Sequence, residues 1–306
     1  MGKPLHYYYS YWSELPEKIF RAVVREFLDN GADRFVITCP LLQEMLENRE
    51  REEFLHRVCR EMHVQFSAVH APYGKEYDLN ILGAECRENM FATHIRAMQI
   101  AAGFGCRTYT IHMGAYHYCT EHVPLETLRP LARETLDKLI PTAQKLGMVI
   151  AVENSFEKPN SARETLDLIN QYEGEPAIGV CYDTGHAHCM ASAPDKDKSK
   201  YQSYFPLCWW EEGVIFEDNA LELLKDHVVT CHIHDNDGYG DLHGMPFDGT
   251  IDWEKLMPEL FFCPRMLEYQ TEVNLNDGDN WAGRLLAPAG GYSIRRLTET
   301  FQKLGF

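Results

Sequence analysis

Ionisable side chains of this chain stand repeatedly where a short apolar run gives way to polar sequence. AVHAPYG carries His70, TIHMGAY carries His112 and VIAVENS carries Glu153. GVCYDTGHAH carries Asp183 and His186, VVTCHIHDND carries His232, His234 and Asp235, and PRMLEYQTE carries Glu268 and Glu272. An Asp-x-His pair, Asp241 and His243, follows in the next loop after His234. Carboxylates and imidazoles, with no cysteine matched to a partner at the end of a run, form the ligand set of a hard or borderline divalent cation such as Mn2+, Co2+, Mg2+ or Zn2+. One histidine in such a place is ordinarily a hydrogen-bonded structural residue. Six consecutive runs that end this way would bury many ionisable groups at one rim, which is costly unless a cation offsets it.

The apolar runs are short, rich in β-branched and aromatic residues, and separated by segments of helical period. That alternation is the βα pattern. Strands are expected at His6–Ser10, Arg34–Thr38, Gln65–His70, Thr108–His112, Met148–Glu153, Ala177–Asp183, Val228–His232 and Arg265–Glu268. The intervening helices are Pro16–Asn30, Leu41–Glu61, Ala84–Phe104, Leu125–Leu146, Ser161–Tyr172, Glu217–Lys225, Trp253–Phe262 and Tyr292–Leu304. Gly31, Gly105 and Gly147 follow helices where a positive φ is wanted, and Ser161 with Glu164 reads as a capping box. Eight strands, each followed by a helix, and no G-x-G-x-x-G after the first, predict a single-domain α/β fold, the (β/α)8 TIM barrel, over residues 1–306. Residues 195–213, DKDKSKYQSYFPLCWWEEG, exceed an ordinary βα connection. Their aromatic half, including Trp209 and Trp210, is expected to form a lid on the barrel mouth or an interface in a homo-oligomer.

Composition narrows the partners. The chain has 29 basic and 46 acidic side chains, a formal net charge of −17 at pH 7. So acidic a surface disfavours nucleic acid, whose binding rests on neutralisation by Lys and Arg. Mean hydropathy is −0.36, and no apolar run is long enough to span a bilayer. The N-terminus, MGKPLH, lacks the apolar core of a signal peptide, so no membrane partner and a cytoplasmic location are expected. Ten cysteines, none in a C-x-x-C pair, read as reduced thiols.

In a barrel of this kind, sites assemble from the C-terminal ends of strands. Glu153, Asp183, one histidine of strand seven and one glutamate of strand eight would stand around one side of the mouth. His232 or His234, and Glu268 or Glu272, fill the last two places. An ion held there leaves room for two substrate oxygens, and a carboxylate on each face can remove and return a proton. That chemistry is aldose–ketose isomerisation or epimerisation through an enediolate.

In this order the segments YYYSYW (7–12), AVHAPYG, IHMG, AVEN, YDTGHAH, HIHDNDGYGDLH and DGTIDW (248–253) resemble the xylose isomerase-like TIM-barrel superfamily. It includes sugar phosphate isomerases and epimerases, ketose 3-epimerases, inosose dehydratases and the family-2 apurinic endonucleases. The resemblance spans nearly the whole chain and implies a divalent-metal-dependent sugar or sugar phosphate isomerase or epimerase acting on a carbohydrate. It also implies Glu153, Asp183, His232 and Glu268 as metal ligands, with Glu153 and Glu268 as the proton-transferring pair. His232 fits through its H-x-x-D spacing to Asp235. Glu268 fits through the P-x-x-L-E ending, with Pro264 marking where the strand starts. His70 and His112 match substrate-contacting positions, and His186, three residues after Asp183, matches a substrate-contacting or second-metal histidine. The alternatives that it carries are an inosose-type dehydratase and an endonuclease with a trinuclear zinc site, whose added ligands would be His70, His112, Asp241 and His243. Against the endonuclease stand the charge and the lack of a Lys/Arg cluster in the motif loops. The chain departs from the ketose 3-epimerases after Glu153, where NSFE follows, and in having no Arg shortly after His232.

Overall fold

The computed structural model describes residues 2–192, 197, 200, 216–275 and 293–306. The expected lid or interface insertion at 195–213 lies outside them, save Asp197 and Lys200. Among the described residues eight strands run β1 Leu5–His6, β2 Arg34–Ile37, β3 Gln65–Val69, β4 Thr108–Ile111, β5 Val149–Glu153, β6 Ile178–Asp183, β7 Val228–Ile233 and β8 Tyr269–Thr271. Every residue of β6 and β7 is buried, as expected of parallel strands covered on both faces. Strands β1-β8-β7-β6-β5-β4 form one parallel run and β2-β3 a second. Parallel bridges Tyr7–Phe35 and His70–Thr110 join the two runs into a closed ring. The chain is an α/β TIM barrel in one domain.

Helices cover the outside, among them Glu17–Asp29, Ala84–Gly103, Leu125–Leu146 and Ile294–Lys303. The aromatic start of the chain is packing: Trp12 is fully buried, with its ring 4.6 Å from Phe20, 5.4 Å from Phe35 and 5.3 Å from Phe66. Gly31, Gly105 and Gly147 all take positive φ. Ser161 Oγ accepts from the Glu164 backbone N–H, but the Glu164 carboxylate pairs with Arg129 instead of reaching back to complete a capping box. The expected helix Leu41–Glu61 is two helices, Cys39–Glu47 and Arg49–Met62. Asn48 divides them, because its Oδ1 accepts from Glu50 N at 2.9 Å and so caps a new start. No helix among the described residues is long and apolar enough to cross a membrane.

Strand eight differs most from expectation. It begins at Tyr269, five residues after Pro264, because Cys263–Glu268 is turn and irregular chain. Glu268 therefore enters the barrel at its floor. Thr108, the first residue of β4, donates to Glu268 Oε1 at 2.5 Å, and Gln270 donates to the same oxygen at 3.3 Å. Thr108 pairs with Val149, four residues before Glu153 along β5, a drop of about 13 Å at the usual rise per residue.

Burial pushes the Glu268 carboxyl up to about 7, against the lowering effect of Thr108 and Arg107. The folded state thus keeps a proton that the unfolded chain releases at its ordinary 4.5. Stability is expected to fall by up to about 3 kcal/mol as pH rises through the interval between those values. Denaturant midpoints measured across it should show the slope in the parent protein and a flatter one in E268Q.

Candidate metal centre

Period-two alternation decides which side chains face into the barrel, and the pairing of neighbouring strands decides their height. Glu153 pairs with Cys181, Asp183 with His232, and His232 with Gln270. A register shift between Val180 and Cys181 advances β7 by one residue and sets His232 beside Asp183. Glu272, immediately after β8, is the next inward residue above Gln270. Ligand atoms of Glu153, Asp183, His232 and Glu272 lie within 4.8 Å of one another, and all four residues are buried. Of the four ligands expected from the sequence, three thus converge and Glu268 does not. Glu272 takes its place at the mouth, because β8 starts four residues later than the proline suggested.

Glu153 is the centre of the group. Its Oε1 lies 3.2 Å from His232 Nδ1 and 3.5 Å from His186 Nδ1. Its Oε2 lies 3.3 Å from His112 Nε2 and 3.4 Å from His70 Nε2. His232 Nδ1 is also 2.9 Å from Glu272 Oε2. His70, His112, His186 and His232 therefore meet one carboxylate, whereas His234 pairs with Asp183 and His243 with Asp241. Burial alone would raise the Glu153 carboxyl, but the positive charge of His232 and His112 holds it well below the usual carboxylate range. Burial likewise opposes charge on His186, yet Asp183 and Asp241 raise it well above the ordinary imidazole value.

Among the described residues four further groups share or adjoin these ligands. Two are His70, His112 and Glu153, and His186, Asp241 and His243; the others are Glu153, Cys181 and His232, and His234, His243 and Glu272. His243 Nε2 is 3.1 Å from Asp241 Oδ2, and this pairing, outweighing burial, pushes His243 up to about 10. The loop that carries the pair is organised by Asp235, which the sequence offered only as a spacing partner of His232. Asp235 Oδ1 accepts from the backbone N–H groups of Asn236 and Ile251, and Oδ2 from Phe247 N and the Trp253 indole at 2.7 Å.

The opposite wall joins the loops after β3, β4 and β5. Asp78 accepts from Gly74 N and Tyr116 N. Asn80 donates to Gly114 O, and Gly114 N donates to Asn160 Oδ1. Gly114 has φ +111°, and a Cβ there would stand 2.3 Å from the Asp78 Cβ, so only glycine fits. Asp78, Gly114 and Asn160, with the aromatic walls Tyr8, Tyr73 and Phe156, border a cavity of about 430 Å³ above the carboxylates. Sequence reading missed them because each lies in a loop with no periodic signal. The polar Asp78-x-Asn80 pair between two apolar runs was the one available cue.

The donor set fits a divalent ion. Among the described residues, Glu153 Oε2 and Glu272 Oε2 are buried without a hydrogen bond and lie beside imidazole nitrogens. Oxygens in that condition suit a cation that would displace the imidazolium protons.

The family model described as "Xylose isomerase-like TIM barrel" matches residues 25–282. An uncharacterized protein, y4fM, of Sinorhizobium fredii is 26% identical over 247 residues, covering 72% of this chain and 69% of its own length. Two solved structures share the fold at low identity. D-psicose 3-epimerase with D-tagatose from Clostridium cellulolyticum superposes with TM-score 0.69 at 13% identity, covering 98% of each chain. The TTHB071 protein from Thermus thermophilus, soaked with ZnCl2, gives 0.58 at 22% identity, covering 94% of this chain and 98% of the other.

Asp235 generates a direct expectation. D235A strands four N–H donors, two of them buried, and should lower stability by about 3 kcal/mol, with D235N losing less because one acceptor oxygen survives. Chemical denaturation of the three proteins measures the order; equal stability of D235A and the parent would contradict it.

Proposed function

Because the chain belongs to the xylose isomerase-like TIM-barrel family, we propose that it is a divalent-metal-dependent isomerase or epimerase of a carbohydrate. The observation that carries the proposal is the convergence of Glu153, Asp183, His232 and Glu272 from four successive strands. These four would hold the ion, which supplies a Lewis acid that lowers the cost of negative charge on substrate oxygens. Glu153 and Glu272 project from well-separated strands, β5 and the end of β8, so each can present a carboxylate to a different face of a substrate carbon. One takes the proton from the carbon next to the carbonyl, and the other returns it. Both are held as carboxylates by imidazolium neighbours, the ionised form that a base must have. His70, His112 and His186 are then placed to hold substrate hydroxyls. The aromatic walls shed water from the cavity, and the apolar faces of a sugar ring would pack on them.

A second reading is favoured by the two adjoining ligand groups, His70–His112–Glu153 and His186–Asp241–His243. Occupied together with the first, they would make a three-ion centre, whose chemistry is phosphoester hydrolysis. The net charge of −17 weighs against a nucleic acid substrate.

Substitution separates the glutamates. E153Q and E272Q are expected to lower exchange of the substrate C–H proton with D2O by about 10²–10⁴-fold, while E268Q, altered at the barrel floor, exchanges like the parent. Loss in E268Q with retention in E272Q would refute the pairing. Elemental analysis assigns the reading: one ion per chain with turnover of ketoses supports the first, and three ions with cleavage of a simple phosphodiester supports the second.

A further inference from the structure

His234 stands beside the four converging ligands without joining them. It is fully buried just beyond the end of β7. Its Nε2 reaches both oxygens of Asp183, at 3.1 and 3.0 Å. Its backbone is pinned by Thr184, whose hydroxyl donates to His234 O at 2.8 Å. Its ring stacks on His243 with centroids 4.1 Å apart and planes 16° from parallel. An imidazole binds a metal in its own ring plane. Two nearly parallel rings one above the other have no shared in-plane position, so one ion cannot take both His234 and His243.

Room for this ring comes from Gly185. A Cβ at that position would lie 2.0 Å from His234 Cε1 and 2.5 Å from Nδ1. Gly185 lies in the helix Thr184–Met190 and has no positive φ. Its lack of a side chain is needed for space alone, and the space is filled by His234.

We infer that His234 is a positioning residue: it orients the Asp183 carboxylate toward the ion and, through its stack on His243, holds two ligand groups at a fixed separation. This rests on the metal-centred reading above, and the experiment tells the two apart. Purified parent protein, H234L, H234Q, H234N and G185A are titrated with Mn2+ against a competing chelator, and their Co2+ absorption spectra are recorded. Gln sets an amide N–H where Nε2 stands, whereas Asn is one methylene too short. H234L, H234N and G185A are expected to lose about 10–100-fold in affinity with an altered Co2+ spectrum, and H234Q to recover most of it. Because G185A acts by evicting the same ring, the G185A/H234L double variant should bind no more weakly than the worse single variant. Parent protein that takes up no ion overturns the metal-centred reading. Parent protein that binds while H234L and H234N match it in affinity and spectrum overturns the role of His234 alone. Should H234L fail to fold, the contrast between H234Q and H234N decides the matter in the same way.

Discussion

The mouth of this barrel depends on one electrostatic constraint: the Glu153 carboxylate is buried, and buried charge must be compensated. Four imidazoles do so from separate strands, loops and the helix Thr184–Met190, each approaching within 3.5 Å. Asp183, Glu272 and Asp241 extend the pattern outward, so that carboxylate and imidazole alternate across the mouth. A protonated imidazole and a divalent cation satisfy the same oxygens, so the arrangement that keeps the fold tolerable without an ion is also the one the proposed metal would use. The proposed metal site and the stability of the upper barrel would thus be a single problem solved by one set of residues.

Compensation at this precision needs supports that are not themselves reactive. Asp235 commits both carboxylate oxygens to the loop that delivers Asp241 and His243. Gly114 lets Asp78 and Asn160 draw three loops together on the other side. In each case a polar side chain accepts from more than one backbone N–H group, and removing it would leave those donors without their partner. The walls of the cavity are therefore as constrained as its chemical floor, though they come from irregular chain.

Strand eight shows how inward direction and height separate. Glu268, Gln270 and Glu272 share a face, since side chains alternate every residue. Glu268 sits at the floor with Thr108, while Glu272 reaches His232. Choosing by the proline selected the correct face and the wrong level. The same holds in strand seven, where His232 and His234 share a parity but the first joins the carboxylates and the second backs Asp183.

Local sequence determined the number and order of strands, the barrel that follows from them, and the chemical kind of residue at each strand end. Those features depend on periodicity and on the boundary between apolar and polar sequence, which neighbouring residues carry by themselves. Glu153 and Asp183 were legible because each is the last residue of its strand. The tertiary structure alone put Glu268 at the floor and Glu272 beside His232, gave His234 its place behind Asp183, and gathered the loop residues Asp78, Asn160 and Asp235. A strand's height in a closed ring is set by hydrogen bonds to its neighbours, here His6 to Gln270 and Gln270 to His232, from chain more than two hundred and nearly forty residues away. No local pattern encodes that register.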